Sequence, residues 1–374
     1  MTKTGRTHPL ELHEIRARVA STLNFRDLAA CARVSQHWYD SFTPPLYRSV
    51  AVELFKNGPS IQSVDKNKRH IQHLTIRRSA NENPSTVLLA ISVMTAASLS
   101  SLNLRGSRVG DQGIQALSEV LKINRTLTTM DWGVNAIGPN GGQALAAVLA
   151  INTTLTTLNL WGNQIKWEGT QALSEALKIN STLTALNLRG GRIEDTGVRA
   201  LAEALKINTT LTTLDLSYNS IKGSGAQALS EALRTNSTLV ILDLRMNETG
   251  VSEAKALYET LMTYTSPTAL NVYSNHIEDD GARALSEALK FNTTLTYLDL
   301  RNNVIGPNGA QALAASLQNN TTLTTMKLSN NPMGVNGTRA LADARTINYP
   351  DHFGLVKKQG QRKLDFDHYS GTEV

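Results

Sequence analysis

Residues 155–182 read LTTLNLWGNQIKWEGTQALSEALKINST, and two periodicities sit inside this one stretch. Leu155, Leu158 and Leu160 carry the alternation of a strand, whereas Ala172, Leu173, Ala176 and Leu177 fall on one face of a helix. One unit is therefore a strand followed by a helix. The same pattern returns with a constant period, starting at Leu99, Leu127, Leu155, Leu183, Leu211, Leu239, Pro267, Leu295 and Leu323, without an insertion or deletion. A degenerate unit precedes these, because Ile71, Leu74 and Ile76 stand one full period ahead of Leu99, Leu102 and Leu104, and the apolar run VLLAISVMTAASL follows them.

Two polar or small columns recur in phase. Asn135, Asn163, Asn219, Asn247, Asn275, Asn303 and Asn331 stand just past the strand, where a short amide satisfies backbone groups as the chain turns. Gly113, Gly141, Gly169, Gly197, Gly225, Gly281, Gly309 and Gly337 mark the helix approach, where strand and helix backbones are expected to come close. No GxxxxGK[ST] or GxGxxG occurs, so the glycines do not build a phosphate loop.

Parallel strands stack about 4.8 Å apart and packed helices about 8–10 Å apart, so stacking such units bends the array with the strands inside. These features resemble leucine-rich repeats of the long, ribonuclease-inhibitor type over residues 71–348. The resemblance implies an α/β fold, an open horseshoe solenoid of 28-residue repeats, with the last unit, where Arg345 replaces a helix leucine, as a cap.

Residues 8–50 break the phase and read as short helices joined by Asn24-Phe25-Arg26-Asp27 and Thr43-Pro44-Pro45. Pro9, Leu10, Glu11 and Leu12, then Ile15, Val19 and Leu23, then Asp27-Leu28, Val34, Trp38 and Leu46-Tyr47-Arg48 resemble the successive elements of an F-box. His8-Pro9 replaces its opening Leu-Pro, and Ser35-Gln36 its usual Cys-Arg. The resemblance implies a small all-α F-box-like domain in which Pro9, Leu10, Leu12, Ile15, Leu23, Leu28, Val34, Trp38 and Leu46 bury against the Skp-type adaptor of a cullin-RING ligase. Residues 51–70 read as a linker, and residues 349–374 as a flexible polar tail.

Of the 374 residues, 41% are hydrophobic, 18% charged and 5% aromatic, which excludes a disordered chain. Cys31 is the single cysteine, so there is no internal disulfide framework and no cysteine zinc cluster. Neither a secretion signal nor an apolar run of membrane-spanning length is present, and a cytoplasmic or nuclear location is expected. The net charge of +6 comes from residues 1–98; residues 99–348 hold 20 cations and 20 anions. That balance argues against a nucleic-acid surface on the repeats.

In the strands, the residues between the leucines face the concave side. Position seven reads Arg105, Gly133, Trp161, Arg189, Ser217, Arg245, Tyr273, Arg301 and Ser329, with Tyr218 and Tyr297 beside it. Arginine, tryptophan and tyrosine are the types enriched in protein-interface hot spots. Arg105, Trp161, Arg189, Tyr218, Arg245, Tyr273, Tyr297 and Arg301 are accordingly the candidate target-binding residues. The four arginines would suit an acidic or phosphorylated segment. Position five reads Asn103, Asp131, Asn159, Asn187, Asp215, Asp243, Asn271, Asp299 and Lys327, expected to be solvated side chains pairing with neighbouring arginines.

Catalysis is not indicated. Asp215 and Asp243 belong to a column that strand chemistry explains better than acid–base work. Cys31 with His37 reads as a small buried thiol, and His70 with His73 lacks a third metal ligand. The Asn-x-Ser/Thr triplets at Asn152, Asn208 and Asn320 arise from the repeat and are not expected to carry glycans. No cofactor is implied. The expected role is a monomeric, non-catalytic substrate receptor of an SCF-type ubiquitin ligase. The alternatives are a stand-alone scaffold resembling the repeats of NOD-like receptors or ribonuclease inhibitor, and an activator of a small GTPase such as Ran.

Overall fold

The computed structural model describes residues 48–53, 66–77, 85–95, 98–263 and 267–348. The adaptor-binding candidates from Pro9 to Leu46, Cys31 with His37, and residues 349–374 lie outside these.

Among the described residues eleven parallel strands form one open sheet in chain order. They are β1 Ser49–Glu53, β2 His73–Arg77, β3 Ser101–Asn103, β4 Thr129–Asp131, β5 Thr157–Asn159, β6 Ala185–Asn187, β7 Thr213–Asp215, β8 Ile241–Asp243, β9 Ala269–Asn271, β10 Tyr297–Asp299 and β11 Thr325–Lys327. From β2 to β11 each pairing is offset by the repeat period, as in Thr157 opposite Ala185 and Leu158 opposite Leu186. A helix follows each strand from β2 onward, beginning with Ser85–Met94 and ending with Gly334–Asn348. The sheet starts earlier than the sequence reading places it. Ser49 pairs with His73 and Val50 with Leu74, so the step from β1 to β2 is shorter than the period, and residues 49–53 are sheet where a helical domain end and a linker were expected.

The core is the layer between sheet and helices. Leu158 and Leu160 are 1% and 0% exposed, and Leu173 and Leu177 on the following helix are 0% and 1%. The middle residue of each three-residue strand is inside, and burial alternates around it except at β4 and β10, where the third residue, Asp131 or Asp299, is buried as well. Trp132 fills a position held by leucine in most repeats and is fully buried, its indole N–H without a hydrogen-bond partner.

Asparagine carries the repeat from unit to unit. Asn163 Oδ1 accepts from the backbone N–H of Asn135 at 2.9 Å and of Ile137 at 3.0 Å, while its Nδ2 donates to the carbonyls of Trp132 and Leu160. One buried amide thus satisfies four backbone groups, as the turn requires. At Gly191 this column has no side chain, although Gly191 N–H still donates to Asn219 Oδ1 at 2.8 Å.

A second asparagine column, Asn124, Asn152, Asn180, Asn208, Asn236, Asn292 and Asn320, closes the helices. Asn180 Nδ2 donates at 2.8 Å to the carbonyl of Leu149, the last residue of the preceding repeat's helix, and its Oδ1 accepts from the N–H groups of Thr182 and Leu183. The carbonyls left over at a helix end are thereby used. Asn152, Asn208 and Asn320 are 2%, 5% and 3% exposed, which leaves their amides no room for a glycan.

The glycine column serves helix-to-helix packing more than helix-to-strand approach. A Cβ on Gly169 would stand 2.8 Å from Ile165 Cγ2 and 3.3 Å from Cα of Pro139, which begins the neighbouring helix.

Candidate functional site

After each strand from β3 to β11 the chain turns through left-handed backbone. Gly106, Val134, Gly162, Gly190, Tyr218, Met246, Ser274, Asn302 and Asn330 hold the same place in nine repeats, all with φ between 53° and 69°. Only three are glycine, so tertiary hydrogen bonds, not residue preference, impose this conformation on Val134 and Tyr218. Val134 N–H donates to the Trp161 carbonyl at 2.7 Å and Tyr218 N–H to the Arg245 carbonyl at 3.0 Å.

Position five holds the strand end in shape. Asn103, Asp131, Asn159, Asn187, Asp215, Asp243, Asn271 and Asp299 each accept, through Oδ1, the backbone N–H two residues on, at 2.9 to 3.2 Å. Only Oδ1 is needed, which explains why Asn and Asp interchange. This corrects the expectation of solvated side chains: Asp131 and Asp299 are buried, at 7% and 0%.

Seven of the eight candidate target-binding residues fall into two clusters, and Arg245 lies beside carboxylates instead. In the first, the Arg105 guanidinium lies 4.4 Å from the centre of the Trp161 ring. Arg189 lies 5.6 Å from the same ring and 4.5 Å from that of Tyr218. In the second, Arg301 stands 5.2 Å from the Tyr273 ring, and Lys327 Nζ 5.4 Å from Tyr297. Guanidinium over an aromatic face at these distances is attractive and holds both side chains in place.

Electrostatics separates the clusters. Arg301 clamps Asp299, donating Nε to Oδ1 at 2.9 Å and Nη2 to Oδ2 at 2.7 Å, and this pairing raises its pKa further. Arg245 Nε lies 3.1 Å from Asp243 Oδ2 without aiming its N–H at that oxygen, and Nη2 is 4.0 Å from Asp215 Oδ2. Burial, reinforced by the Asp215 charge and opposed by Arg245, pushes the Asp243 carboxyl up to about 6. Asp243 Oδ2 also accepts from Asn271 Nδ2 at 3.1 Å. Burial beside Asp299 pushes the Tyr297 hydroxyl up to about 12, and that hydroxyl donates to Asp299 Oδ2 at 3.3 Å. Asp131 in the first cluster is raised by burial, against the N–H of Gly133 and the Arg105 charge.

The perturbed carboxyl at Asp243 follows from burial within a row of strand-end Asn and Asp residues, each tied to backbone. His70, read as a weak metal candidate, accepts from Arg69 Nε at 3.1 Å. The Glu175–Lys178 and Glu203–Lys206 pairs form on the helix surface at 2.7 and 2.6 Å, as their spacing predicts. Among the described residues no helix is long and apolar enough to cross a membrane.

The Leucine Rich repeat family matches residues 95–118, 152–174, 180–202, 208–230, 268–286, 291–314 and 319–342. The solenoid is a leucine-rich-repeat array. These matched segments begin at residue 95, so the F-box resemblance of residues 8–50 rests on their sequence pattern. Leucine-rich repeats are protein-interaction scaffolds, and the concave side chains are of interface type. Solved structures similar to the chain include actin-binding site 2 of leiomodin-1, at 22% identity and a TM-score of 0.32, covering 48% of this chain and 90% of that one. The C-terminal domain of tropomodulin from Caenorhabditis elegans is similar at 16% identity and a TM-score of 0.33, covering 48% of this chain and 93% of that one. No curated protein matches the sequence.

Proposed function

We propose that this leucine-rich-repeat protein is a non-catalytic target receptor of an SCF-type cullin-RING ubiquitin ligase. Residues 8–50 dock on a Skp-type adaptor, and the concave face of the repeats holds a target protein. The observation that carries the target-binding half is the guanidinium–aromatic row of Arg105, Trp161, Arg189 and Tyr218, which presents pre-ordered hot-spot side chains on an open sheet face. The adaptor half is supported by the order of apolar anchors from Pro9 to Leu46. Function is by positioning: a held target meets the ligase at high effective concentration, and the receptor contributes no chemistry of its own.

The test is a pull-down of purified Skp-type adaptor by the full chain and by a variant carrying Leu12→Asp and Trp38→Ala, with the variant's fold checked by circular dichroism. Capture by the natural chain and its loss in the folded variant are expected. Absence of capture by the natural chain would overturn the ligase assignment and leave a leucine-rich-repeat scaffold.

A further inference from the structure

The concave arginines are of two kinds. Arg245 and Arg301 already lie beside carboxylates, at 3.1 Å from Asp243 and 2.7 Å from Asp299. Arg105 and Arg189 make no ion pair among the described residues and rest on aromatic rings instead. A guanidinium over an aromatic ring uses its carbon face for that contact, so the N–H donors in its own plane stay available as a fork suited to a carboxylate. The strand-end acid that feels the Arg105 charge, Asp131, is buried and holds the Gly133 N–H at 3.0 Å.

We propose that the target's docking segment is an extended acidic stretch that binds the amino-terminal half of the concave face, two of its carboxylates taken by Arg105 and Arg189 from strands on either side of that of Trp161. This rests on the concave face being the target site, and it narrows the expectation that all four arginines take part. Arg105 and Arg189 follow β3 and β6, three strands apart, yet they converge to 4.4 Å and 5.6 Å from the Trp161 ring centre. Acids two or three residues apart in an extended chain are about 7–10 Å apart, which suits that convergence. Stacking fixes both guanidinium groups before the partner arrives, so less side-chain freedom is lost on binding.

Single-stranded nucleic acid would also use arginine and aromatic side chains, but it needs free ring faces for its bases. Trp161 offers little, because two guanidinium groups already stand over its ring, at 4.4 Å and 5.6 Å from its centre. The repeats also carry 20 cations against 20 anions over residues 99–348.

The experiment is fluorescence anisotropy of the full chain with three labelled probes: a nine-residue peptide alternating Glu and Ser, the same peptide with Gln for Glu, and a nine-nucleotide oligothymidylate. The Glu peptide is expected to bind about 10-fold tighter than the Gln peptide. Arg105→Gln with Arg189→Gln should erase that preference, and Arg245→Gln should keep it, each variant being checked for fold by circular dichroism. The pair Arg105→Lys and Arg189→Lys, which keeps charge without the planar fork, should retain only part of it. Equal binding of the two peptides, an equal loss in Arg245→Gln, or tighter binding of the oligonucleotide than of the Glu peptide would each overturn the proposal. Adaptor capture reads the ligase assignment separately: a chain that captures the adaptor but shows no Glu preference loses this inference alone.

Discussion

The Arg105 guanidinium sits 4.4 Å from the Trp161 ring centre although the strand-end position between them in the sheet belongs to Gly133. The contact depends on that gap, because a Cβ at Gly133 would stand 3.3 Å from Trp161 Cε3 and 3.2 Å from Asp131 Oδ1. A larger residue there would wedge the pair apart. A double-mutant cycle with Arg105→Ala and Trp161→Ala should give a coupling of about 0.5–1 kcal/mol, and the same cycle in a Gly133→Leu background about zero. Undiminished coupling in that background would show that the glycine is not what permits the stack.

Asp243, raised to about 6 chiefly by burial, holds a proton in the folded chain at pH values where the unfolded chain has lost it. The native state binds more protons between about pH 4 and 6, so stability falls as pH rises through that window. Asparagine does the same backbone work at Asn187 and Asn271, through the bonds to Arg189 and Tyr273. Asp243→Asn should therefore raise stability at pH 7 by on the order of 1–2 kcal/mol and flatten this part of the pH profile. Urea denaturation at pH 4, 5, 6 and 7 measures both; an unchanged slope would remove Asp243 as its source.

Gly191 is the gap in the asparagine column, and at the neighbouring rung Asn219 Oδ1 accepts from Gly191 and Ile193. Gly191 has no left-handed backbone angle, and an added Cβ would meet the Leu188 carbonyl at 3.0 Å. Asn219 reaches its own equivalent, the Leu216 carbonyl, with an Nδ2 bond of 3.0 Å. Gly191→Asn should complete the ladder and stabilise the chain by about 1 kcal/mol, through the added bonds and the lost freedom of glycine in the unfolded state. A lowered melting temperature in calorimetry would mean that the carbonyl contact outweighs them.

Gly169 sits inside the helix Lys166–Leu177, where alanine would ordinarily be preferred by about 1 kcal/mol. Here its Cβ would press on Ile165 at 2.8 Å and on backbone of the adjacent helix at 3.3 Å. Gly169→Ala should destabilise by about 1–3 kcal/mol, overpacking exceeding propensity. Exposed Gln171→Ala on the same helix should be close to neutral under the same denaturation, which separates the packing effect from propensity.

The repeat period by itself determined strand, helix, register and the inward leucines, because each repeat must bury the same face and burial selects residue type unit by unit. It also determined the post-strand asparagine column, whose short amide answers a backbone need that recurs at the same place. Strand Ser49–Glu53 escaped that reading because its unit is shorter than the period and puts Val50 and Val52, out of phase, opposite Leu74 and Ile76. The left-handed residue after each strand from β3 to β11 left no trace in residue type, being Gly, Val, Tyr, Met, Ser or Asn. Which arginines are occupied was decided only by the tertiary structure. Arg105, Arg189, Arg245 and Arg301 look alike in the repeat, but whether each meets an aromatic ring or a carboxylate depends on its neighbours across the sheet. Those neighbours come from other repeats, and the lateral spacing of the strands, not the pattern along the chain, brings them within reach.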